Sequence, residues 1–273
     1  MELIEAILLG LIQGLTEFLP VSSSGHLVIL QSLFDYETHN IAFDVAVHLA
    51  TLLSVLTVYR KTVFVLAKSP VDALKEKKLN DGLRVILLMF YASIPTAIIG
   101  FTFKDDFERM FNSLGAVGCF LLFTGGILLA TRKSSGVLHK DQSIHQLVKE
   151  ITPFKAVLVG FAQSIAIAPG VSRSGSTIAA SLFLGASRDT AALFSFLISI
   201  PAILGASVLQ LKDLDATNFE WMPFLVGFVV AYISGVAGLT LVLKFVKKGR
   251  LEVFSPYLFV VGLAAIYFGF FAS

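Results

Sequence analysis

Eight apolar stretches run through this chain, and two of them are broken near the middle. A helix needs roughly 20 consecutive apolar residues to cross the hydrocarbon core of a bilayer. Six stretches meet that length, at about 41–60, 83–103, 113–131, 189–211, 222–245 and 253–271. The other two, residues 2–34 and 154–186, are interrupted by "PVSSSGH" and "PGVSRSGST", which leaves halves of about 12–17 residues. Such halves are too short to cross. Only 15% of the 273 residues are charged, against about 25% in soluble domains. The expected class is therefore an all-α polytopic membrane protein, a single membrane domain over 1–273. The acids Glu2 and Glu5 stand where a cleavable leader would carry basic residues, so no leader is expected. The one cysteine, Cys119, excludes an internal disulfide framework and a cysteine metal cluster.

Each broken stretch is either a discontinuous span or a hairpin that dips into the membrane and returns. The basic residues choose between them. Arg60, Lys61, Lys68, Lys75, Lys77, Lys78 and Arg84 flank the loop between the first two spans, and Arg132, Lys133, Lys140, Lys149 and Lys155 flank the loop after the third. Arg188 precedes the fourth span, and Lys244, Lys247, Lys248 and Arg250 follow the fifth. These 17 fall on one side, with only Lys104, Arg109 and Lys212 opposite, among acids such as Asp105, Asp106, Asp213 and Asp215. Positive loops mark the cytoplasm. The split holds only if residues 154–186 leave and re-enter from the cytoplasmic side, with 2–34 entering from outside. Both termini are then expected to be extracytoplasmic.

Sliding the chain by 150 residues aligns the broken regions without a gap: Gly10 on Gly160, Gln13 on Gln163, Val21 on Val171, Ser22 on Ser172, Ser24 on Ser174, Gly25 on Gly175. Three spans follow each hairpin, and an odd number inverts the second copy. The expected architecture is two inverted-topology repeats, 1–131 and 154–271, each a re-entrant helix hairpin plus three transmembrane helices. Inverted repeats with broken helices place their site near the midplane.

Both tips read polar–small–polar and then resume as a helix, so Ser22–Gly25 and Ser172–Gly175 have the character of N-caps. Helix N-termini present free N–H groups and roughly half a positive charge. Two of them with Arg173 between favour a phosphate or diphosphate. An arginine at this depth is costly, so a partner is expected, either Glu17 or a bound anion. Gln13 and Glu17, four residues apart, share one helix face. With the helix carbonyls they could hold a hard cation, Mg²⁺ or Ca²⁺, together with phosphate oxygens. His26 lies one turn from Ser22 and Ser23, in reach as base or nucleophile. The second tip has Ile167 and Ser176 at the positions matching Glu17 and His26, so the titratable chemistry belongs to the outward hairpin. Other features read as packing: His48 as a hydrogen-bonded helix residue, Gly125–Gly126 and the Gly115/Gly118 and Gly235/Gly238 spacings as close helix contacts. His139 and His145 read as solvated loop residues.

At "QGLTE", "FLPVSSSGH" and "PGVSRSGST" the sequence resembles the undecaprenyl-diphosphate phosphatase family, also called the bacitracin-resistance protein family, over essentially its whole length. Gln13 stands first in that family's Glu/Gln-x-x-x-Glu motif, which leaves Glu17 as its one carboxylate. The resemblance implies metal-dependent hydrolysis of a C55 polyprenyl diphosphate to the monophosphate, recycling the carrier for cell-wall precursors. It carries over a site of Gln13, Glu17, Ser22, Ser23, Ser24, His26, Ser172, Arg173, Ser174 and Thr177, with Gly25 and Gly175 in the tips. Ser23 is the expected nucleophile with His26 as its base; the alternative is direct attack by His26. Glu17 and Gln13 are the expected metal ligands. The expected partners are the lipid substrate and membrane lipid, with no nucleic acid, and a homodimer is compatible with the sequence. The expected place is the inner cell membrane, with the site opening outward. A lipid-phosphate flippase or anion transporter would use the same equipment, and a polyprenyl-phosphate receptor would bind without turnover.

Overall fold

The computed structural model describes residues 2–33, 41–134, 143–210 and 221–271, and every regular element among them is a helix. His139, Lys140, Lys212, Asp213 and Asp215 lie outside the described residues. In chain order the helices are α1 (Leu3–Phe18), α2 (Ser23–Leu33), α3 (Ile41–Val58), α4 (Arg60–Glu76), α5 (Asp81–Thr102), α6 (Lys104–Phe111) and α7 (Leu114–Ala130). There follow α8 (Ile144–Glu150), α9 (Pro153–Ile165), α10 (Arg173–Phe183), α11 (Arg188–Gln210), α12 (Trp221–Lys248) and α13 (Ser255–Phe271).

Among the described residues five segments are long and apolar enough to cross a membrane by themselves: Asp81–Thr102, Leu114–Lys133, Arg188–Gln210, Trp221–Lys248 and Leu251–Phe270. The sixth expected span is α3, which meets the test together with α4, from which it is bent by 87°. The chain is thus a multi-pass membrane protein. The helix starts follow local chemistry. Asn80 accepts from the Leu83 amide at 2.9 Å ahead of α5. Thr152 caps α9, with Pro153 in the first turn, where its missing N–H costs no hydrogen bond.

Helix α4 was not foreseen in the sequence. In place of a loop after residue 60, the chain turns at Tyr59 and continues helically, nearly at right angles to α3. Phe64, Val65, Val71 and Leu74 are exposed on it, and the ammonium of Lys68 sits 4.2 Å over the Phe64 ring. Apolar side chains beside Arg60, Lys61, Lys68 and Lys75 suit a helix lying in the headgroup layer.

The two interrupted stretches become α1 with α2 and α9 with α10, and the members of each pair pack on one another. Helix α1 runs along α12, and its counterpart α9 runs along α5. Both contacts need glycine. A Cβ on Gly10 would stand 2.6 Å from the Gly227 carbonyl oxygen, and one on Gly160 would stand 2.2 Å from that of Ala92. Inside, Phe18 and Phe196 meet edge to face at 5.9 Å, directly behind the first tip.

Candidate active site

Helix α1 stops because Leu19 precedes Pro20, and a residue before proline is driven to the extended region, where Leu19 lies. The chain then reverses through Ser22, which has φ 70°. Non-glycine residues are uncommon in that left-handed region. Here the conformation is held by two hydrogen bonds: the Ser22 hydroxyl oxygen accepts from the Gly25 amide at 3.3 Å and from the Gly170 amide of the other tip at 3.1 Å. Gly170 has φ 99°, which glycine adopts without strain. The second tip repeats the local pattern. Ser172 accepts from the Gly175 amide at 3.1 Å and lies 3.3 Å from the Ser174 hydroxyl, as Ser22 lies 3.4 Å from Ser24. Thr124 on α7 braces this tip, donating to the Gly170 carbonyl at 2.9 Å and accepting from the Ser172 amide at 3.1 Å.

The chemistry converges on Glu17. Its Oε1 accepts from the Arg173 guanidinium, while Oε2 accepts from the Gln13 amide at 3.0 Å and from the Ser23 hydroxyl at 2.6 Å. Glu17 is 9% exposed and Gln13 fully buried, whereas Ser23, Ser24 and His26 are half-buried. Arg173 therefore has the carboxylate partner its depth requires. Its other terminal nitrogen, Nη1, is buried and has no protein partner. The first-turn amides of α2 and α10 lack intrahelical acceptors, as at any helix start. These donors converge where two anion-seeking helix ends meet.

The expected Ser23–His26 pairing is not what the structure holds. The Ser23 hydroxyl donates to Glu17, and the His26 ring is engaged elsewhere: Nδ1 lies 2.7 Å from the Ser22 carbonyl oxygen and Nε2 lies 2.6 Å from the Tyr257 hydroxyl. Ser23 and His26 stand three residues apart in the first turn of α2, and that turn aims hydroxyl and imidazole at different partners. Thr177 faces away from the tips, donating to the Arg173 carbonyl at 2.8 Å and pairing with Ser195 at 2.6 Å. Ser172 and Ser174 are likewise nearly fully buried and serve the turn itself. His48 hydrogen-bonds the Asp44 carbonyl at 2.7 Å, and His145, read as solvated, pairs with Asp81 at 2.6 Å. Sequence reasoning missed Thr124 and Tyr257. Thr124 looks like one more small residue in a glycine-rich span, and Tyr257 like an interfacial aromatic at a helix end.

Among the described residues no three His, Cys, Asp or Glu side chains gather as a metal cage. Gln13 Oε1, however, is a buried acceptor without a partner beside the Glu17 carboxylate. One carboxylate and one amide oxygen fit a cation of the Mg²⁺ type, which takes few protein ligands and completes its shell with phosphate oxygens and water.

Comparison with known proteins bears directly on this arrangement. The family described as bacitracin resistance protein BacA matches residues 6–264. An undecaprenyl-diphosphatase of Carboxydothermus hydrogenoformans is 42% identical over 272 residues, covering 97% of each chain. That of Desulforapulum autotrophicum is 43% identical over the full length of both, and that of Methanosphaera stadtmanae is 37% identical over 97% of this chain and 98% of its own. All the residues that converge on Glu17 lie within the matched span. The chain belongs to the bacitracin resistance protein BacA family.

Proposed function

We propose that this chain is a membrane-embedded phosphatase that hydrolyses undecaprenyl diphosphate to the monophosphate and phosphate. The observation that carries the reading is the 2.6 Å hydrogen bond from the Ser23 hydroxyl to Glu17, whose other oxygen holds Arg173. It unites a nucleophile, a proton acceptor and an anion-binding guanidinium at the start of a helix.

In the resting site the Arg173 guanidinium occupies one oxygen of Glu17. An arriving diphosphate competes for the guanidinium, first through the unpartnered Nη1, and Arg173 turns from Glu17 to the phosphate, leaving that carboxylate to the Ser23 hydroxyl. The Ser23 oxygen attacks the terminal phosphorus and its proton passes to Glu17. The bond from phosphorus to the bridging oxygen breaks, and the prenyl monophosphate leaves with the electron pair. Water then attacks the phosphoserine in line. The Ser23 oxygen leaves and retakes its proton from Glu17, while His26 takes the proton of the water. Arg173 and the first-turn amides neutralise charge on the equatorial oxygens, the main demand of phosphoryl transfer. A divalent cation, Mg²⁺ or Ca²⁺, held by Glu17 and Gln13 would add Lewis-acid neutralisation of the phosphate oxygens.

The paired packing of α1 on α12 and α9 on α5, each through a repeat-related glycine, supports two interlocked inverted repeats. With the basic loops on the cytoplasmic side of the inner membrane, the first hairpin opens outward and phosphate leaves on the extracytoplasmic side. The membrane supplies the prenyl chain laterally.

The test is phosphate release from a polyprenyl diphosphate by the purified chain in detergent, where transport cannot be scored. Release that Ser23→Ala abolishes is expected. Tight diphosphate binding without release would favour a carrier or a receptor instead. Proteoliposomes of known orientation with a phosphate sensor in one compartment test the outward release. Phosphate on the side of the basic loops would reverse it.

A further inference from the structure

Tyr257 stands at the start of α13, 231 positions from His26, yet the two side chains are coupled. The hydroxyl is 2.6 Å from Nε2, and the rings lie nearly parallel, 8° apart in plane and 5.7 Å between centroids. The other ring nitrogen is equally committed, because Nδ1 lies 2.7 Å from the Ser22 carbonyl oxygen. A carbonyl can only accept, so Nδ1 carries the proton. In the neutral ring Nε2 then holds the lone pair, and the Tyr257 hydroxyl donates to it. The imidazole is thus held at both nitrogens.

We propose that Tyr257 is a positioning residue for the hydrolysis, fixing His26 in the Nδ1–H tautomer with its basic nitrogen, Nε2, directed at the Tyr257 hydroxyl. The inference rests on the reading above that His26 handles the proton of water. Three observations bear on it. Neither partner of the ring is a carboxylate, so the clamp orients the ring without adding a negative charge beside the incoming anion. Tyr257 is 47% exposed, so its hydroxyl sits where water can reach it and hand a proton on through the same hydrogen bond. Holding Nε2 also keeps the ring away from Ser23 and leaves Glu17 as that hydroxyl's acceptor. The clamp therefore separates two proton acceptors in one tip, one for serine and one for water. It makes attack by the His26 nitrogen itself unfavourable while Tyr257 is bonded to it.

The experiment uses the full-length chain in detergent or nanodiscs. Tyr257→Phe keeps the ring and removes the hydroxyl. It is expected to lower kcat at least about tenfold, part of the roughly 10²–10⁴-fold that a positioned acid–base group contributes, with KM little changed. In a His26→Ala background the same substitution should cost nothing further. ¹⁵N spectra of histidine-labelled protein, with the His26 signals identified by their loss in His26→Gln, should show a single Nδ1–H tautomer that becomes a mixture in Tyr257→Phe. A native kcat in Tyr257→Phe would overturn the proposal, as would an undiminished loss in the His26→Ala background or an unchanged His26 spectrum. A rise in KM alone would also overturn it, by assigning Tyr257 to direct substrate contact. Should the native chain release no phosphate from a prenyl diphosphate, the proposed function fails, and the spectra still decide whether Tyr257 sets the tautomer.

Discussion

The backbone amide of Gly170 donates to the side-chain oxygen of Ser22 at 3.1 Å, so the two tips are tied to each other across 148 positions of sequence. The same oxygen also accepts from Gly25 at 3.3 Å. Ser22→Ala leaves two buried amides without this acceptor and keeps the left-handed φ of 70°. A loss of about 1–3 kcal/mol is expected. Ser22→Gly loses the same bonds and relieves a backbone cost of roughly 1 kcal/mol, so it should unfold at a higher temperature than Ser22→Ala. Thermal unfolding in detergent checks the order, and a reversed order would show that φ at this position carries no strain.

Arg173→Lys keeps the charge and loses the planar fork that can hold Glu17 and phosphate at once. We expect kcat/KM to fall by about 10² or more, the scale of removing one donor from a preorganised anion site. Near-native turnover of the purified variant would make the guanidinium a structural counter-ion only.

Gly160→Ala places a methyl group 2.2 Å from the Ala92 carbonyl oxygen, a backbone atom that cannot swing aside. A loss of about 1–3 kcal/mol is expected for such overpacking. Gly126→Ala is the control, since nothing lies within 4 Å of its Cβ position, and replacing a helical glycine there should gain up to about 1 kcal/mol. Equal stability of the two variants in denaturant titration would remove the close α5–α9 approach from the account.

Glu150, in the segment ahead of α9, has its pKa affected first by burial, which raises it. That effect is outweighed by hydrogen bonds from Gln146, the Ser187 amide and the hydroxyls of Thr190 and Ser187, and the net shift is below the ordinary 4.5. A carboxyl depressed on folding stabilises above its unfolded value and loses that contribution as pH falls through the folded one. Stability should therefore decline below pH 4.5, and Glu150→Gln should flatten that part of the profile. An unaltered acid limb in the variant would exclude the Ser187 contact as its source.

With Cys119 replaced, a cysteine at Lys77 should resist a membrane-impermeant thiol reagent in intact cells, and one at Asp106 should react. The opposite pattern would invert the proposed orientation.

The spans were legible because length and hydropathy act through the bilayer, which imposes the same constraint on every crossing helix. The tips were legible for a different reason: proline, positive-φ geometry and helix capping are local, so "LPVSSSGH" announces its turn. Partners set by tertiary packing were not. Nothing near His26 in the sequence points to Tyr257, and Ser23 could not be assigned to Glu17 rather than His26 until α1 and α2 were laid against each other. The bend into α4 was hidden because a basic amphipathic stretch reads equally as a solvated loop.

The Glu17–Arg173 pair makes the resting cavity electrically neutral. A diphosphate entering it brings at least two negative charges into a medium where an uncompensated charge is expensive. Loading is therefore an exchange rather than a simple arrival, in which each anion must be accompanied by a cation or by protons drawn from the water at the mouth. The apparent affinity for substrate is then tied to what else the solution offers, and dilution of the accompanying ion weakens binding even when every side chain is in place.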